Sequence, residues 1–234
     1  MQQDTTDSPA VPGMNLRWFS PADHQRMREH GIAPDSHWRG GAILDSGGDE
    51  HRFTVDEYLG LVEAEVLLAR DPVELIEGRI VEVSPSSDGH TFLVSVLTRI
   101  FNRNLDPDHF AVVAQLPCLV EGDSMPEPDL GVYRGSLEEI GGNPPVSRAL
   151  LLVEVMVTSH EKDRHAKLPL YARSGVPEVW LVDVLGRRLH AYRQPVAGES
   201  RYALEVVLGP EDTAKPERLP EVELPLAGLL RAIE

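Results

Sequence analysis

The sequence predicts an α/β or α+β domain with helices packed against a mixed central β-sheet. Three observations carry this. The run ALLLVEVMV, from Ala149 to Val157, is almost wholly apolar, as a strand covered on both faces must be. From Thr91 to Leu105, the residues Phe92, Leu93, Val96, Leu97, Ile100, Phe101 and Leu105 recur at helical spacing. Around these lie short β-rich runs: VELIEGRIVEVS, AVVAQLPCLV, PDLGVY, EVWLVDV, RRLHAYR and YALEVVLG.

Taken in order, the polar, proline-containing residues 1–13 are expected to be disordered. Phe19 to Ile32 predicts a short helix capped by Ser20, with Pro21 at its first position. The segment from Pro34 to Glu50 is rich in Gly, Ser and Asp and reads as a linker or long loop. Thr54 and Glu57 form a capping box for a second helix through Tyr58, Leu61, Val62 and Val66. Glu77-Gly78 predicts a tight hairpin between VELI and RIVEVS. After the amphipathic helix come the runs ending in AVVAQLPCLV, PDLGVY and ALLLVEVMV, read as three strands. His160 to Arg173 is the next helix candidate, with Pro169 an awkward interior residue that kinks it or delays its start. Gly175 ends it, two strands meet at Leu185-Gly186, and a last strand precedes a short apolar helix, LAGLLRAI.

At 234 residues the chain holds one good-sized domain, or one domain with an appendage. With a single cysteine, Cys118, it has neither an internal disulfide nor a cysteine-rich zinc site. No apolar run approaches the ~20 residues that span a bilayer, and the N-terminus lacks the basic start and apolar core of a signal peptide. A cytoplasmic protein with no membrane partner is expected. The formal net charge of −16 argues against broad nonspecific nucleic-acid binding, which draws on Lys and Arg. Locally the balance reverses: His160 to Ser174 holds Lys162, Arg164, Lys167 and Arg173 against two acids.

The chemistry concentrates between Met125 and Asp183. Asp129 and Glu154 each sit in a short apolar run, where a carboxylate is costly unless paired or bound to a cation. Asp163, Lys167 and Tyr171 are spaced four apart, which sets them on one helical face. Two strand carboxylates with a lysine aimed at them suit metal-assisted phosphodiester hydrolysis. Mg²⁺, or Mn²⁺, takes a few carboxylates, a carbonyl and water. Asp129, Glu154 and the backbone carbonyl of Val155 are the candidate ligands, with Glu74 a further acidic candidate. Lys167 would orient water or offset negative charge. His90, at the start of the amphipathic helix, is a candidate phosphate contact.

PEPDLGVYRG, then LLVEV, then the stretch from Asp163 to Asp183 resemble the bacterial restriction endonuclease family of PD-(D/E)XK type. The resemblance extends upstream through FTVDEY, VELIEGRIVEVSP and His90. It implies a restriction-endonuclease-like fold for residues 53–234, with residues 1–52 an N-terminal extension outside it. It implies that Asp129 and Glu154 bind a divalent metal and that Lys167 is the active-site lysine, moved from strand to helix because Met156 stands two residues after Glu154. Glu74, His90 and Tyr171 fall on positions of the family pattern, Tyr171 as a candidate substrate contact. The expected function is a Mg²⁺- or Mn²⁺-dependent endonuclease acting on DNA, with RNA or branched nucleic acid as variants and a homodimer as the natural assembly for cutting two strands. The competing expectation is a catalytically degenerate nucleic-acid-binding or protein-interaction module that retains the fold. The acidic charge and the apolar Val157 after the strand motivate it.

Overall fold

A computed structural model describes residues 15–68, 70–83, 87–120, 122–156 and 163–230. The expected disorder of residues 1–13, the Val157–His160 segment and the end of the last helix lie outside these. Among the described residues no helix is long and apolar enough to cross a membrane.

The chain begins with β1 (Asn15–Leu16) and α1 (Pro21–Glu29), whose Ser20 cap accepts from the Asp23 amide while the Asp23 carboxylate accepts from Ser20. The expected linker instead contains a hairpin, β2 (His37–Arg39) and β3 (Ala42–Leu44). Its turn is Gly40-Gly41, with φ of 59° and 97°, a conformation that glycine takes without steric cost. α2 (Val55–Glu63) carries the predicted Thr54–Glu57 capping box. β4 (Val73–Ile76) and β5 (Arg79–Glu82) form the predicted hairpin, and β1 extends it into a three-stranded sheet ordered β1-β5-β4.

Next comes α3 (Asp88–Asn104), which starts three residues earlier than the apolar spacing alone suggests, because Ser87 caps it by accepting from the His90 amide. It buries Leu93, Val94, Leu97 and Phe101. The strand expected over AVVAQLPCLV is β6 (Phe110–Ala114) only. Gln115 turns into the left-handed region at φ 50° and Pro117 has no amide to donate, so the chain leaves the sheet there. Then follow β7 (Leu130–Arg134), the single turn α4 (Leu137–Ile140) and β8 (Ala149–Met156), buried along its whole length.

Helix formation after β8 differs from a plain α-helix in the way Pro169 requires. Asp163–Lys167 is one turn of π-helix, and α5 (Leu168–Arg173) begins after it with Pro169 in its first turn. The wider turn before it gives room for a residue with no amide to donate. β9 (Glu178–Asp183), β10 (Arg188–Pro195) and β11 (Tyr202–Leu208) complete the main sheet. The short strands β12 (Thr213–Ala214) and β13 (Leu224–Pro225) pair, and α6 (Leu226–Leu229) closes the described chain.

The six-stranded sheet has the order β11-β10-β9-β8-β7-β6. Every neighbouring pair is antiparallel except β8 with β9, which run parallel in the register Leu152↔Val179 to Met156↔Asp183. This alternation divides the core. Leu151, Val153 and Val155 face α3 and the C-terminal Leu219, Leu224 and Leu226. Leu152 and Met156 face the other way, toward Leu170, Tyr171 and Tyr133. A third cluster joins Phe19, Met27, Ile43 and Phe53 to Leu61, Leu75 and Ile80, so the described part of the N-terminal segment packs on α2, β4 and β5.

One glycine in the middle of β7 has a steric reason. A Cβ on Gly131 would lie 2.3 Å from Cε2 of Tyr133, whose ring covers the backbone there.

Candidate active site

The antiparallel register of β7 and β8 ends at Leu130↔Val153. One step further, Asp129 stands opposite Glu154, and opposed residues share a face. The Asp129 carboxylate takes the place of the next ladder bond: its Oδ2 accepts from the Val155 amide at 2.6 Å. Its Oδ1 lies 2.9 Å from His90 Nε2 at the first turn of α3. A carboxylate only accepts, so Nε2 carries the proton. Both oxygens of Asp129 are thereby oriented by rigid elements.

Glu154 is 1% exposed, in the middle of an apolar sheet. An unpaired carboxylate there would carry a large desolvation cost. It is paired twice: Oε2 accepts from Lys167 Nζ at 3.1 Å, and Oε1 accepts from the Tyr171 hydroxyl at 2.8 Å. Both donors come from the π-helical turn and α5, which β8 and β9 hold over that face of the sheet.

Lys167 is itself buried, at 3% exposure. Its ammonium also lies 3.1 Å from Glu74 Oε1 on β4 and 2.8 Å from the carbonyl of Glu127. An ammonium has three N–H donors, and these three acceptors match them. Lys167 therefore ties β4, β8 and the segment leading to β7 into one unit. Glu74 is 5% exposed and shares this cation.

Burial, with the Glu154 charge next, holds the Tyr171 phenol well above its usual range, so it stays a proton donor to that carboxylate. Tyr171 was expected as a substrate contact; it is 0% exposed, and its hydroxyl points at Glu154 instead. Tyr58 is pushed up to about 12 by burial first, then by Glu74, Glu127 and Asp71, and its hydroxyl donates to the Val73 carbonyl. Cys118 is buried behind the site against Tyr133, and burial raises its thiol to about 12. It is a protonated thiol and so a poor nucleophile at neutral pH.

Structure thus brings together Asp129, Glu154, Lys167, Glu74, His90 and Tyr171, drawn from three strands or their flanks and three helical elements. The Asp163 side chain lies outside what is described. Two participants were not legible in the sequence. The Glu127 carbonyl is a backbone group with no residue signature. Tyr58 reads as a core position of α2, and only the fold sets it near Glu74 and Glu127.

The donor set fits a hard cation. Asp129 and Glu154 offer oxygen ligands, and the Val155 carbonyl belongs to the same end of β8. Among the described residues no three His, Cys, Asp or Glu side chains form a ready-made metal cage. An ion such as Mg²⁺ is held by one or two carboxylates and completed by water and substrate phosphate.

Comparison with known proteins agrees with the fold. A family model, Uma2, described as "Putative restriction endonuclease", matches residues 56–227. Among solved structures, the chain is similar to a protein from Anabaena variabilis described as "a putative nuclease belonging to DUF820". Identity is 19%, the TM-score is 0.63, and the match covers 78% of this chain and 99% of that one. No curated protein matches the chain.

Proposed function

The chain belongs to the Uma2 family, whose model covers most of it, and on that premise we propose that it is a metal-dependent endonuclease hydrolysing phosphodiester bonds in DNA. The observation that supports this best is the opposed pair Asp129 and Glu154, beside a lysine shared between Glu154 and Glu74. A bound Mg²⁺ or Mn²⁺ would supply a nucleophilic water at neutral pH and offset charge on the phosphate.

The chain's own residues would divide the remaining work. Asp129, Glu154 and the Val155 carbonyl hold the cation. The Val155 amide and His90 fix the orientation of Asp129. Tyr171 and Lys167 fix Glu154, so that little reorganisation is left for the moment of reaction. Lys167 touches water or phosphate only by giving up an acceptor such as Glu154, Glu74 or the Glu127 carbonyl, so its first task is to hold two buried carboxylates side by side. Cutting both strands of a duplex calls for two such sites, which a homodimer supplies, and the activity is assigned to the cytoplasm.

The test is nicking of supercoiled plasmid DNA with Mg²⁺, with Mn²⁺ and with EDTA, using wild type and Glu154→Gln. Metal-dependent nicking lost in a folded E154Q supports the reading. Nicking at equal rates in EDTA, or in E154Q, refutes it. The full occupancy of the Lys167 ammonium favours one alternative: a module that keeps the fold and binds nucleic acid or protein without cleaving. That alternative predicts no nicking under any of these conditions.

A further inference from the structure

The parallel pairing of β8 with β9 sets Leu181 beside Glu154 and Asp183 beside Met156. The turn that follows β9 therefore leaves the sheet at the end where the carboxylates sit. Its first residue, Val184, is three residues beyond Leu181, about 10 Å along the strand. Four features mark this turn. Leu185 at its tip is 71% exposed, the most exposed of the large apolar residues described. Arg187 and Arg188 follow it, both exposed, in a chain where 38 acids outnumber 22 bases. The turn is rigid, because Asp183 Oδ1 accepts from the Gly186 amide at 2.7 Å and Val184 accepts from the Arg187 amide at 3.2 Å. A Cβ on Gly186 would press on that Asp183 carboxylate, so the glycine leaves room for the cap. Finally, Arg187 holds φ at 51°, a conformation that glycine or asparagine takes more cheaply.

We propose that the turn Leu185–Arg188 is a DNA-contact element, with Arg187 and Arg188 pairing with backbone phosphates beside the scissile one and Leu185 entering the groove between them. This rests on the nuclease reading. A strand that places one phosphate at Asp129 and Glu154 passes a neighbouring phosphate over the end of β9. Guanidinium groups match phosphate oxygens in charge and geometry. An apolar side chain between two phosphate contacts is a device that proteins use against base steps. The overall acidity disfavours nonspecific adhesion elsewhere, so a small, rigid, locally basic tip can set where the duplex docks.

The experiment measures binding of a short fluorescein-labelled DNA duplex by anisotropy across about 50–200 mM salt. All proteins carry Asp129→Asn so that the duplex stays whole. Arg187→Gly with Arg188→Ala should weaken binding and make the plot of log affinity against log salt shallower by about 1.8, the loss of two phosphate contacts. R187G relieves the strained backbone, and an unchanged melting temperature of R187G/R188A separates a lost contact from misfolding. Leu185→Ser should weaken binding with the slope unchanged. Arg28→Ala with Arg39→Ala, which removes two exposed arginines from the N-terminal segment, should leave both quantities as they were. An unchanged slope in R187G/R188A, an equal effect of R28A/R39A, or no binding by the parent overturns the assignment. Metal-dependent nicking by the wild type, scored separately, reports on the nuclease reading whatever the turn does.

Discussion

Replacing Lys167 by methionine keeps the length of the side chain and removes its charge. Glu74 and Glu154, each 3.1 Å from the ammonium, are then left buried with the shared cation gone. Their oxygens lie no more than about 6 Å apart, and at an effective dielectric of about 20 two full charges at that distance repel by roughly 2.8 kcal/mol. Removing one partner from a buried ion pair costs about 3–5 kcal/mol by measurement on other proteins, which includes this kind of term. For a chain of this size each kcal/mol moves the melting temperature by about 2–4 °C, so K167M should melt roughly 6–20 °C lower. The assay is thermal and urea unfolding followed by circular dichroism, on wild type, K167M, Glu154→Gln and the double variant. Because E154Q removes one of the stranded charges, the double variant should be more stable than K167M. The coupling energy should be about 2 kcal/mol or more. A K167M within about 1 kcal/mol of wild type, or a double variant whose losses simply add, would refute the view that Lys167 neutralises two buried carboxylates.

Tyr171→Phe removes the phenol that donates to Glu154 Oε1, so it should cost about 1.5–3 kcal/mol of stability. By loosening a metal-holding carboxylate it should also weaken divalent-cation affinity about 10–100-fold, which isothermal titration would read. Gly131→Ala forces a methyl against the Tyr133 ring and should cost about 1–3 kcal/mol in urea unfolding, whereas Gly131→Ala with Tyr133→Leu should recover much of it. Tyr58, Tyr133, Tyr171 and Tyr202 all have phenols raised by burial. A raised pKa means that the unfolded state loses its protons first. The stability these phenols contribute is therefore complete below about pH 10 and is lost as pH rises above it. Absorbance at the phenolate band should show most tyrosines silent in the native protein and released together on alkaline unfolding; independent titration of all five near the free value would contradict their burial.

The sequence was most legible where one residue pattern answers to one local force. The Thr54–Glu57 box, the Glu77-Gly78 turn and the continuous apolar run of β8 each state their own structure. The carboxylate pair was legible for a related reason: an acid inside LLLVEVMV demands a partner, and Lys167 and Tyr171, four residues apart, both reach it. What escaped is local backbone geometry that composition and apolar spacing do not encode, and the choice of which layer covers a helical face. The Gly40-Gly41 hairpin lies in a stretch whose composition reads as linker, and its glycines serve the turn. The early end of β6 follows from Gln115 and Pro117, which the apolar count overlooks. The π-helical turn before Pro169 accommodates that residue without breaking the helix, a solution that helical spacing alone does not encode. For Tyr171, spacing gives its helical face but not which layer covers it, and it lies buried against Glu154.

Titration of Mn²⁺ and Mg²⁺ into wild type, Asp129→Asn and E154Q by calorimetry, with and without a DNA duplex, tests the central claim most directly. That claim is that Asp129 and Glu154 hold a divalent cation at the end of β8. One site in the wild type, tightened by the duplex and lost in each folded variant, is the predicted result. Binding of equal strength in D129N and E154Q, or none by the folded wild type even with DNA present, would contradict it.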